Sequence, residues 1–236
     1  MGACAKDHIA LFFLTRNGRF LARVVGESKG NVVLRKTQYR ISEDENMSGE
    51  VARNFILGKI YNNKWIIERA TRDYPLRVDV QKFNGRSRRP PLDNVNALLS
   101  FAYTLLANDT AAALECVGLD AYVGFLHRDR PGRVSLALDL MEELRGVYAD
   151  RFVISLINKR IIQKEDFNNK PSGAVLLTDD GRKTFLKHWQ EKKQEKIVHP
   201  YLGEKIPWGL VPFAQAMLLA RFLRKDLQEY PPFLWK

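Results

Sequence analysis

Apolar and polar residues alternate near the start of the chain, as they do in β-strands. Residues 8–14 and 19–25 are two such stretches, and the turn Thr15-Arg16-Asn17-Gly18 separates them. Two alternating stretches around a short turn with glycine predict a β-hairpin. Because a hairpin is only marginally stable by itself, we expect this one to belong to a larger β domain, much of which is missing upstream.

A long helix is predicted next. From Ser48 to about Arg72 the apolar residues recur every three or four positions, which is the helical spacing. We expect Ser48 or Asn46 to be the N-cap, since either side chain can accept a hydrogen bond from a free backbone N–H group. Two prolines and a glycine in residues 83–91 exclude a continuing helix and place the main domain boundary there.

Beyond Pro90 the pattern is mainly helical. Asp93 is the expected cap of a helix with an apolar stripe, and a second apolar stretch ends at Gly118. The segment 119–127 is predicted to be irregular. Further helices are predicted over 135–160 with a break near Gly146, over 179–196 after a Thr178 cap, and over 210–227, with a short strand over 174–177. The pattern therefore predicts an α+β fold with a small β part and a large helical part.

The composition is that of a globular protein. With 236 residues, 45% of them hydrophobic, the chain can fill a sizeable core. No apolar run approaches the roughly 18–20 residues that cross a bilayer, and the start lacks the order of a secretion signal, so we expect a cytoplasmic protein with no membrane partner. Cys4 and Cys116 lie far apart and have no Cys-x-x-Cys spacing, which argues against a disulfide framework or a zinc site.

The net charge indicates a polyanionic partner. The chain has 38 Lys and Arg residues against 27 Asp and Glu residues, a formal net charge of +11. Such an excess favours contacts to phosphates and the release of counterions, and nucleic acid fits better than an acidic membrane. A basic surface that only confers solubility is the alternative. The cation-rich helices after Thr178 also contain Asp and Glu, which favours a solvated surface there.

One group of residues predicts chemistry on phosphates. Asp139 and Glu142 stand three positions apart in a predicted helix and so share a face, and His127 precedes them. Two carboxylates and an imidazole suit Mg²⁺ or Mn²⁺, ions that polarise a phosphate and activate an oxygen nucleophile. The alternative is a solvated helix face, shared by these acids and Glu143, beside an isolated histidine.

Two groups of arginines are candidate contacts to DNA phosphates. We expect the group after His127 to disfavour the protonated imidazole and leave a neutral nitrogen free for a metal. The group before Pro90 and Pro91 could be held in place by a bend, or could be a flexible basic linker. The two groups are Arg128, Arg130 and Arg133, and Arg86, Arg88 and Arg89. His188 and His199 have no evident partners.

Four segments together resemble a known family. They are Arg-Ser-Arg-Arg-Pro-Pro-Leu-Asp-Asn-Val-Asn-Ala-Leu-Leu-Ser-Phe at 86–101, Val-Gly-Leu-Asp at 117–120, Gly-Phe-Leu-His at 124–127 and Ser-Leu-Ala-Leu-Asp-Leu-Met-Glu-Glu-Leu-Arg at 135–145. In this order they closely resemble the CRISPR-associated spacer-acquisition integrases, Cas family member one. The segments 203–208 and 230–236 look like the subtype I-C branch. The resemblance extends over nearly the whole chain.

The resemblance implies a metal-dependent DNA endonuclease and integrase that inserts spacer DNA into a CRISPR array. It implies a partial N-terminal β domain over 1–45, a connecting long helix over 46–80 and an α-helical catalytic domain over 81–236. It also implies a homodimer, a small companion protein (Cas family member two), double-stranded DNA as spacer precursor and repeat, and Mg²⁺ or Mn²⁺. By this resemblance His127, Asp139 and Glu142 are the catalytic set, with His127 and Glu142 as metal ligands and Asp139 in support.

The sequence departs from the family pattern in two places. Family members begin well upstream, and the part that this sequence lacks corresponds to much of the β domain. The family's first ligand, a glutamate in a Glu-Gly helix, is missing between Val80 and Phe83, and the surroundings of Glu50 match a different helix. Because loss of a ligand weakens a metal site, we expect little or no cleavage. The alternative function is a catalytically defective DNA-binding or partner-binding remnant of the family.

Overall fold

The computed structural model describes residues 2, 11–15, 20–24, 31–73, 87 and 90–235. Its strands are β1 Leu11–Leu14, β2 Phe20–Val24, β3 Phe167–Asn169, β4 Val175–Leu177, β5 Lys196–Val198 and β6 Lys205–Pro207. Its helices are α1 Val32–Glu43, α2 Glu45–Asp73, α3 Asn94–Cys116, α4 Ser135–Leu144, α5 Arg151–Asn158, α6 Asp179–Gln194 and α7 Val211–Leu223. The strands form three antiparallel pairs, β1 with β2, β3 with β4 and β5 with β6.

The α+β prediction is confirmed, since these helices dominate and the strands are few and short. In the N-terminal hairpin, Leu11 lies opposite Val24 and Phe13 lies opposite Ala22, as the alternating pattern predicted. Helix α1 was not predicted. Asn31 caps it by accepting a hydrogen bond from the backbone N–H of Leu34, at 3.0 Å, and it lies within the range 1–45 that the sequence assigned to a β domain.

The predicted cap of the long helix is wrong. Asp44 caps α2 instead, because its Oδ1 accepts hydrogen bonds from the backbone N–H groups of Asn46 and Met47, both at 2.9 Å. Ser48 lies inside the helix and is buried. Its hydroxyl donates to the carbonyl of Phe125 at 2.8 Å and so ties α2 to the segment that carries His127.

Helix α3 is continuous, whereas the sequence predicted two apolar stretches. Asp93 caps it as expected, accepting a hydrogen bond from the N–H of Asn96 at 2.7 Å, and Gly118, with a φ of 88°, ends it. The helix is long and apolar enough to cross a bilayer by length and composition, but 67% of its most apolar window is buried inside the protein. That burial is typical of the central helix of a packed core.

The predicted helix over 135–160 is interrupted near Gly146, as expected. The interruption is a π-helical turn, Arg145–Asp150, between α4 and α5. A Cβ on Gly146 would lie only 2.3 Å from Oδ1 of Asn63, so glycine permits the close approach of α2. Helix α4 packs against α2, α3 and α7, which places its side chains at the centre of the fold.

The C-terminal part surrounds an aromatic cluster. Thr178 caps α6 as predicted, through a hydrogen bond from the N–H of Gly181 at 3.0 Å. Its basic residues form ion pairs with neighbouring acids, Lys183 with Asp180 among them, which agrees with the predicted solvated surface. Buried aromatic rings from several elements pack together beneath α3 and α6, and they are Tyr148, Phe185, Trp189, Trp208 and Phe233.

Candidate active site

Asp139 organises the segment that carries His127. Its carboxylate is fully buried on α4 and accepts three backbone hydrogen bonds, from Phe125 and Leu126 on Oδ2 at 2.6 and 2.9 Å and from His127 on Oδ1 at 2.9 Å. Gly124 permits this approach, because a Cβ there would lie 2.7 Å from Oδ2 of Asp139. Buried carboxylates need such donors to offset their loss of hydration. The carboxylate therefore fixes the shape of the irregular segment that the sequence predicted.

Asp139 also orients the imidazole. Nδ1 of His127 lies 2.6 Å from Oδ1 of Asp139, so the other ring nitrogen, Nε2, is the one left for a ligand or a proton. A carboxylate on one ring nitrogen is the usual way to set the tautomer and basicity of a ligating histidine. The carboxylate of Asp139 is the charged group in contact with this imidazole, and Arg128 pairs with Glu45 at 3.7 Å. The expected effect of the arginines on the protonation of His127 stays a prediction.

Glu142 lies in a different setting on the same helix. Its side chain is 5% exposed, and two cations face it: Arg145 at 2.7 Å from Oε1 and Lys59 at 3.0 Å from Oε2. Oε2 nevertheless has no hydrogen-bond partner. Both observations hold, because the ammonium of Lys59 is close enough for an ion pair but is not aligned to donate. One buried oxygen of Glu142 thus keeps a free lone pair.

The π-helical turn holds Arg145 in place. The guanidinium of Arg145 lies 4.9 Å from the ring centroid of Tyr103, and the hydroxyl of Tyr103 bonds to Asp150 at 2.5 Å. Arg145 and Asp150 are the two ends of that turn. Wider π turns are often found at functional sites. Neither Lys59 nor Arg145 was predicted as a site residue.

Glu143, the next residue, faces a separate polar network. Its carboxylate is fully buried and accepts hydrogen bonds from the Tyr230 hydroxyl, from Nε2 of Gln215 at 3.0 Å and from the N–H of Phe233 at 2.7 Å. Burial raises the pKa of Glu143 to about 7, although these bonds oppose the shift. His199, which the sequence left without a partner, is buried beside Gln215 at 3.0 Å.

These settings overturn one alternative drawn from the sequence. Asp139 and Glu143 are 0% exposed and Glu142 is 4% exposed, so the three acids of α4 are not a solvated helix face. Glu50 is exposed on α2, and we do not expect it to replace the missing ligand.

The arginine predictions stay predictions. Arg128 and Arg130 are exposed and Arg133 is half-buried, all close in sequence to His127. Arg86, Arg88 and Arg89 lie outside the described residues. The domain ranges 1–45, 46–80 and 81–236 likewise remain predictions.

The donor set fits a divalent cation in part. Nε2 of His127 and Oε2 of Glu142, which is ion-paired with Lys59 but accepts no hydrogen bond, are borderline and hard donors of the kind that Mg²⁺ and Mn²⁺ accept. Within the described ranges, however, no three His, Cys, Asp or Glu side chains are close enough together to hold a metal. The contacts join His127 to Asp139 and Glu142 to its two cations, and none of them joins His127 to Glu142.

A cavity of about 530 Å³ opens beside His127. One wall is the junction between α1 and α2, with Ser48 and Gly49, and the other is the segment from Gly124 to Asp129. The cavity gives a polymer end or a small ligand room to approach the imidazole.

Comparison with known proteins gives the family of the chain. The family model described as CRISPR associated protein Cas1 matches residues 1–81 and 75–191. A CRISPR-associated endonuclease Cas1 of Chlorobaculum tepidum is 42% identical and aligns with 100% of this chain and 84% of its own length. That alignment has 287 positions and this chain has 236 residues, so part of the relative's sequence has no counterpart in this chain.

Solved structures share the fold. A casposase bound to integration product has a TM-score of 0.86 at 24% identity, covering 99% of this chain and 77% of that chain. A partial Cas6-RT-Cas1–Cas2 complex has a TM-score of 0.71 at 20% identity, covering 100% of this chain and 83% of that one. The sequence motifs, the helical architecture around α4 and the match of the family model agree, and the chain belongs to the CRISPR associated protein Cas1 family.

Proposed function

We propose that this chain is a DNA endonuclease and integrase of CRISPR adaptation, which cuts or joins phosphodiester bonds when spacer DNA enters an array. The single observation that carries the proposal is the buried carboxylate of Asp139, which holds the imidazole of His127 by Nδ1 at 2.6 Å. The relatives named Cas1 endonucleases and the casposase structure bound to an integration product support it.

The residues of the chain have distinct roles in this proposal. Asp139 sets the tautomer of His127, so that Nε2 can bind a cation or move a proton at the reacting phosphate. Lys59 and Arg145 compensate the charge of Glu142 and bring positive charge to the place where charge develops on the phosphate. Asp139 acts through His127 and is a positioning residue.

A divalent ion, Mg²⁺ or Mn²⁺, completes the proposed site. His127 and Glu142 would hold it, and bound there it would polarise the phosphate and lower the pKa of an attacking hydroxyl or water. Mg²⁺ often takes only one or two carboxylates from a protein and the rest of its shell from water and phosphate oxygens. Two protein ligands are therefore a workable but weak set.

The proposed partners follow from the relatives. Double-stranded DNA, as spacer precursor and as CRISPR repeat, suits the formal charge of +11. The Cas1–Cas2 complex among the similar folds supports a small Cas2 companion. We further propose a homodimer that works in the cytoplasm, where its DNA substrate is found, and subtype I-C membership.

Cleavage of a labelled branched duplex with Mn²⁺ tests the proposal. We expect little or no cutting, because the sequence has only two of the three ligands that the family resemblance implies. His127→Ala should abolish any cutting, whereas His188→Ala should leave it unchanged, because the contacts of His188 among the described residues are to Thr184 and Glu191 of its own helix, α6. Cutting that survives His127→Ala would contradict the proposed site.

A second candidate is a DNA-binding protein of this family without cleavage. The ion pairs of Glu142 with Lys59 and Arg145 favour it, since these cations already neutralise the carboxylate. This candidate predicts salt-sensitive binding that persists in chelator, and no cutting of any branched substrate.

A further inference from the structure

Two arginines meet over one indole near the C-terminal end of the described chain. The guanidinium carbons of Arg69 and Arg151 each lie 4.5 Å from the ring centroid of Trp235. Arg69 comes from α2 and Arg151 from the first residue of α5. Three distant parts of the sequence therefore converge on one surface, where no motif had indicated a site.

The two arginines have like charges. Within the part of the chain that the structure describes, neither forms an ion pair, whereas other basic residues such as Lys193 and Arg224 do. Burial lowers the pKa of Arg151, and the charge of Arg69 lowers it further. Two guanidinium groups that share one indole and have no carboxylate partner among the described residues are best satisfied by an external anion, and phosphate oxygens accept from guanidinium N–H groups in pairs.

The surface is rigidly built. Asn62, 1% exposed, donates to the carbonyls of Glu143 and Phe233, both at 2.7 Å, and accepts from the N–H of Trp235 at 2.9 Å. This one amide fixes the C-terminal segment against α2 and α4. The indole is thus held in position, and it holds both guanidinium groups by cation–π contact.

We propose that Arg69, Trp235 and Arg151 form a subsite for one backbone phosphate of the DNA strand. The proposal rests on the proposed action on DNA and adds a contact remote from the chemistry, which positions the strand. Phosphate contacts of this kind fix the register of a protein on DNA without reading its sequence.

The position of the subsite along α2 gives it a register. Arg69 follows Lys59 by ten residues, which is about 15 Å along a helix axis, and Lys59 faces Glu142. If the duplex axis follows α2, successive phosphates of a strand advance by about 3.4 Å along it, and the bound phosphate then lies about four nucleotides from the reacting one.

Binding measurements in chelator test the subsite without any need for cleavage. The affinity of a fluorescent branched duplex is measured against salt for the wild type and for Arg69→Gln/Arg151→Gln. Because both arginines grip one phosphate, the double variant should lower the slope of log K against log salt by about 0.9. Arg221→Gln, which removes one charge from an exposed site on α7, should leave the slope unchanged.

A second substrate series locates the phosphate. Single methylphosphonates placed along the strand should weaken wild-type binding about four nucleotides from the branch and have no further effect on the double variant. Two outcomes for the double variant overturn the proposal: a salt slope equal to that of the wild type, or a fall in slope of about 1.8, which corresponds to two phosphates. A lower thermal midpoint of the double variant with unchanged binding also overturns it, because removing two like charges should keep or raise the midpoint. Since the readout is binding, failure of cleavage would count against the proposed function and leave the subsite standing.

Discussion

Two buried carboxylates of α4, one helical turn apart, are satisfied in the same way by different segments. Asp139 receives three backbone N–H groups and the imidazole of His127. Glu143 receives a hydroxyl, an amide and one backbone N–H from the C-terminal part of the chain. Glu142 has cations for neighbours and one oxygen without a hydrogen bond.

The difference separates carboxylates that hold structure from one that can bind. Asp139 and Glu143 have their oxygens occupied by donors of the fold, so their loss should be felt as a loss of shape. Glu142 has charge compensation without full hydrogen bonding, which leaves capacity for a ligand. His127, which Asp139 holds, also lines a cavity.

Asp139→Asn should have the largest effect, on both stability and cleavage. An amide nitrogen would face backbone N–H donors, and the imidazole would lose its carboxylate. We expect the free energy of unfolding to fall by about 3 kcal/mol and any cleavage to fall by roughly 10–100-fold. Thermal unfolding and the branched-duplex assay check this, with Asp129→Asn, an exposed acid nearby, as the matched control. Unchanged cleavage would show that the tautomer of His127 has no role.

Glu143→Ala tests the second buried carboxylate of α4. It should lower the free energy of unfolding by about 3 kcal/mol or more, because the donors from Tyr230, Gln215 and Phe233 would be left buried without an acceptor. Glu165→Ala, at an exposed position, should change it by no more than about 0.5 kcal/mol. Denaturant unfolding measures both, and a loss as small as that of the control would mean the network is not structural.

The pH dependence of stability sharpens the same contrast. Burial raises the pKa of Glu143 to about 7 from its ordinary value of 4.5, so the unfolded chain releases this proton first as pH rises. Its contribution to stability is full below about pH 4.5 and is lost as pH rises to about 7, on the order of 3 kcal/mol in total. Glu143→Gln should remove this slope in urea unfolding between pH 5 and 7. The lowered pKa of His199 makes stability rise with pH, and it does so equally in the wild type and in Glu143→Gln. An identical dependence of stability on pH in the two proteins would therefore show that Glu143 does not titrate as stated.

Gly124→Ala should have a moderate effect confined to the His127 side. The new Cβ would lie 2.7 Å from Oδ2 of Asp139 and 2.9 Å from the carbonyl of His127, so the segment must shift. We expect a loss of about 1–3 kcal/mol in the free energy of unfolding. Gly49→Ala is the control, since nothing lies within 4 Å of its Cβ position, and a helical alanine there should stabilise slightly. Equal effects of the two changes on stability would show that close packing does not require glycine at position 124.

Lys59→Met should have the smallest effect. A metal at Glu142 must compete with the ammonium 3.0 Å away, and the Lys59 side chain is 38% exposed. Such a partly exposed pair contributes about 1 kcal/mol or less, so Mn²⁺ affinity should rise by no more than about five-fold. Mn²⁺ titration followed by electron paramagnetic resonance measures it, and Lys64→Met, exposed on the same helix, is the control. A lower affinity would show that Lys59 supports the metal site.

The sequence was sufficient where a signal is local. The N-terminal hairpin, the caps at Asp93 and Thr178 and the break near Gly146 follow from side-chain periodicity and turn residues, and the structure confirms them. Helix α1 was missed, since its apolar residues are few. His127 and Asp139 are only twelve residues apart. The family motif was therefore sufficient to select both as site residues without knowledge of their geometry.

Contacts between distant segments could not be predicted. Lys59 and Glu142 are 83 residues apart, and Arg69, Arg151 and Trp235 come from three elements. The sequence pattern predicts neither the full burial of Glu143 nor its hydrogen bond to Tyr230, because an acidic residue in a helix is normally exposed to solvent. Such features depend on tertiary packing, which a single sequence does not report.

The π-helical turn has a consequence for how the chain can change over generations. A residue inserted into or deleted from an α-helix rotates everything after it by about 100°. Here the wider turn, Arg145–Asp150, sets the angle between Glu142 on α4 and Arg151 on α5. Substitutions within the turn can leave that angle intact, whereas a change of one residue in its length would turn Arg151 away from Trp235. We therefore expect the residues of this turn to vary among related proteins more readily than its length.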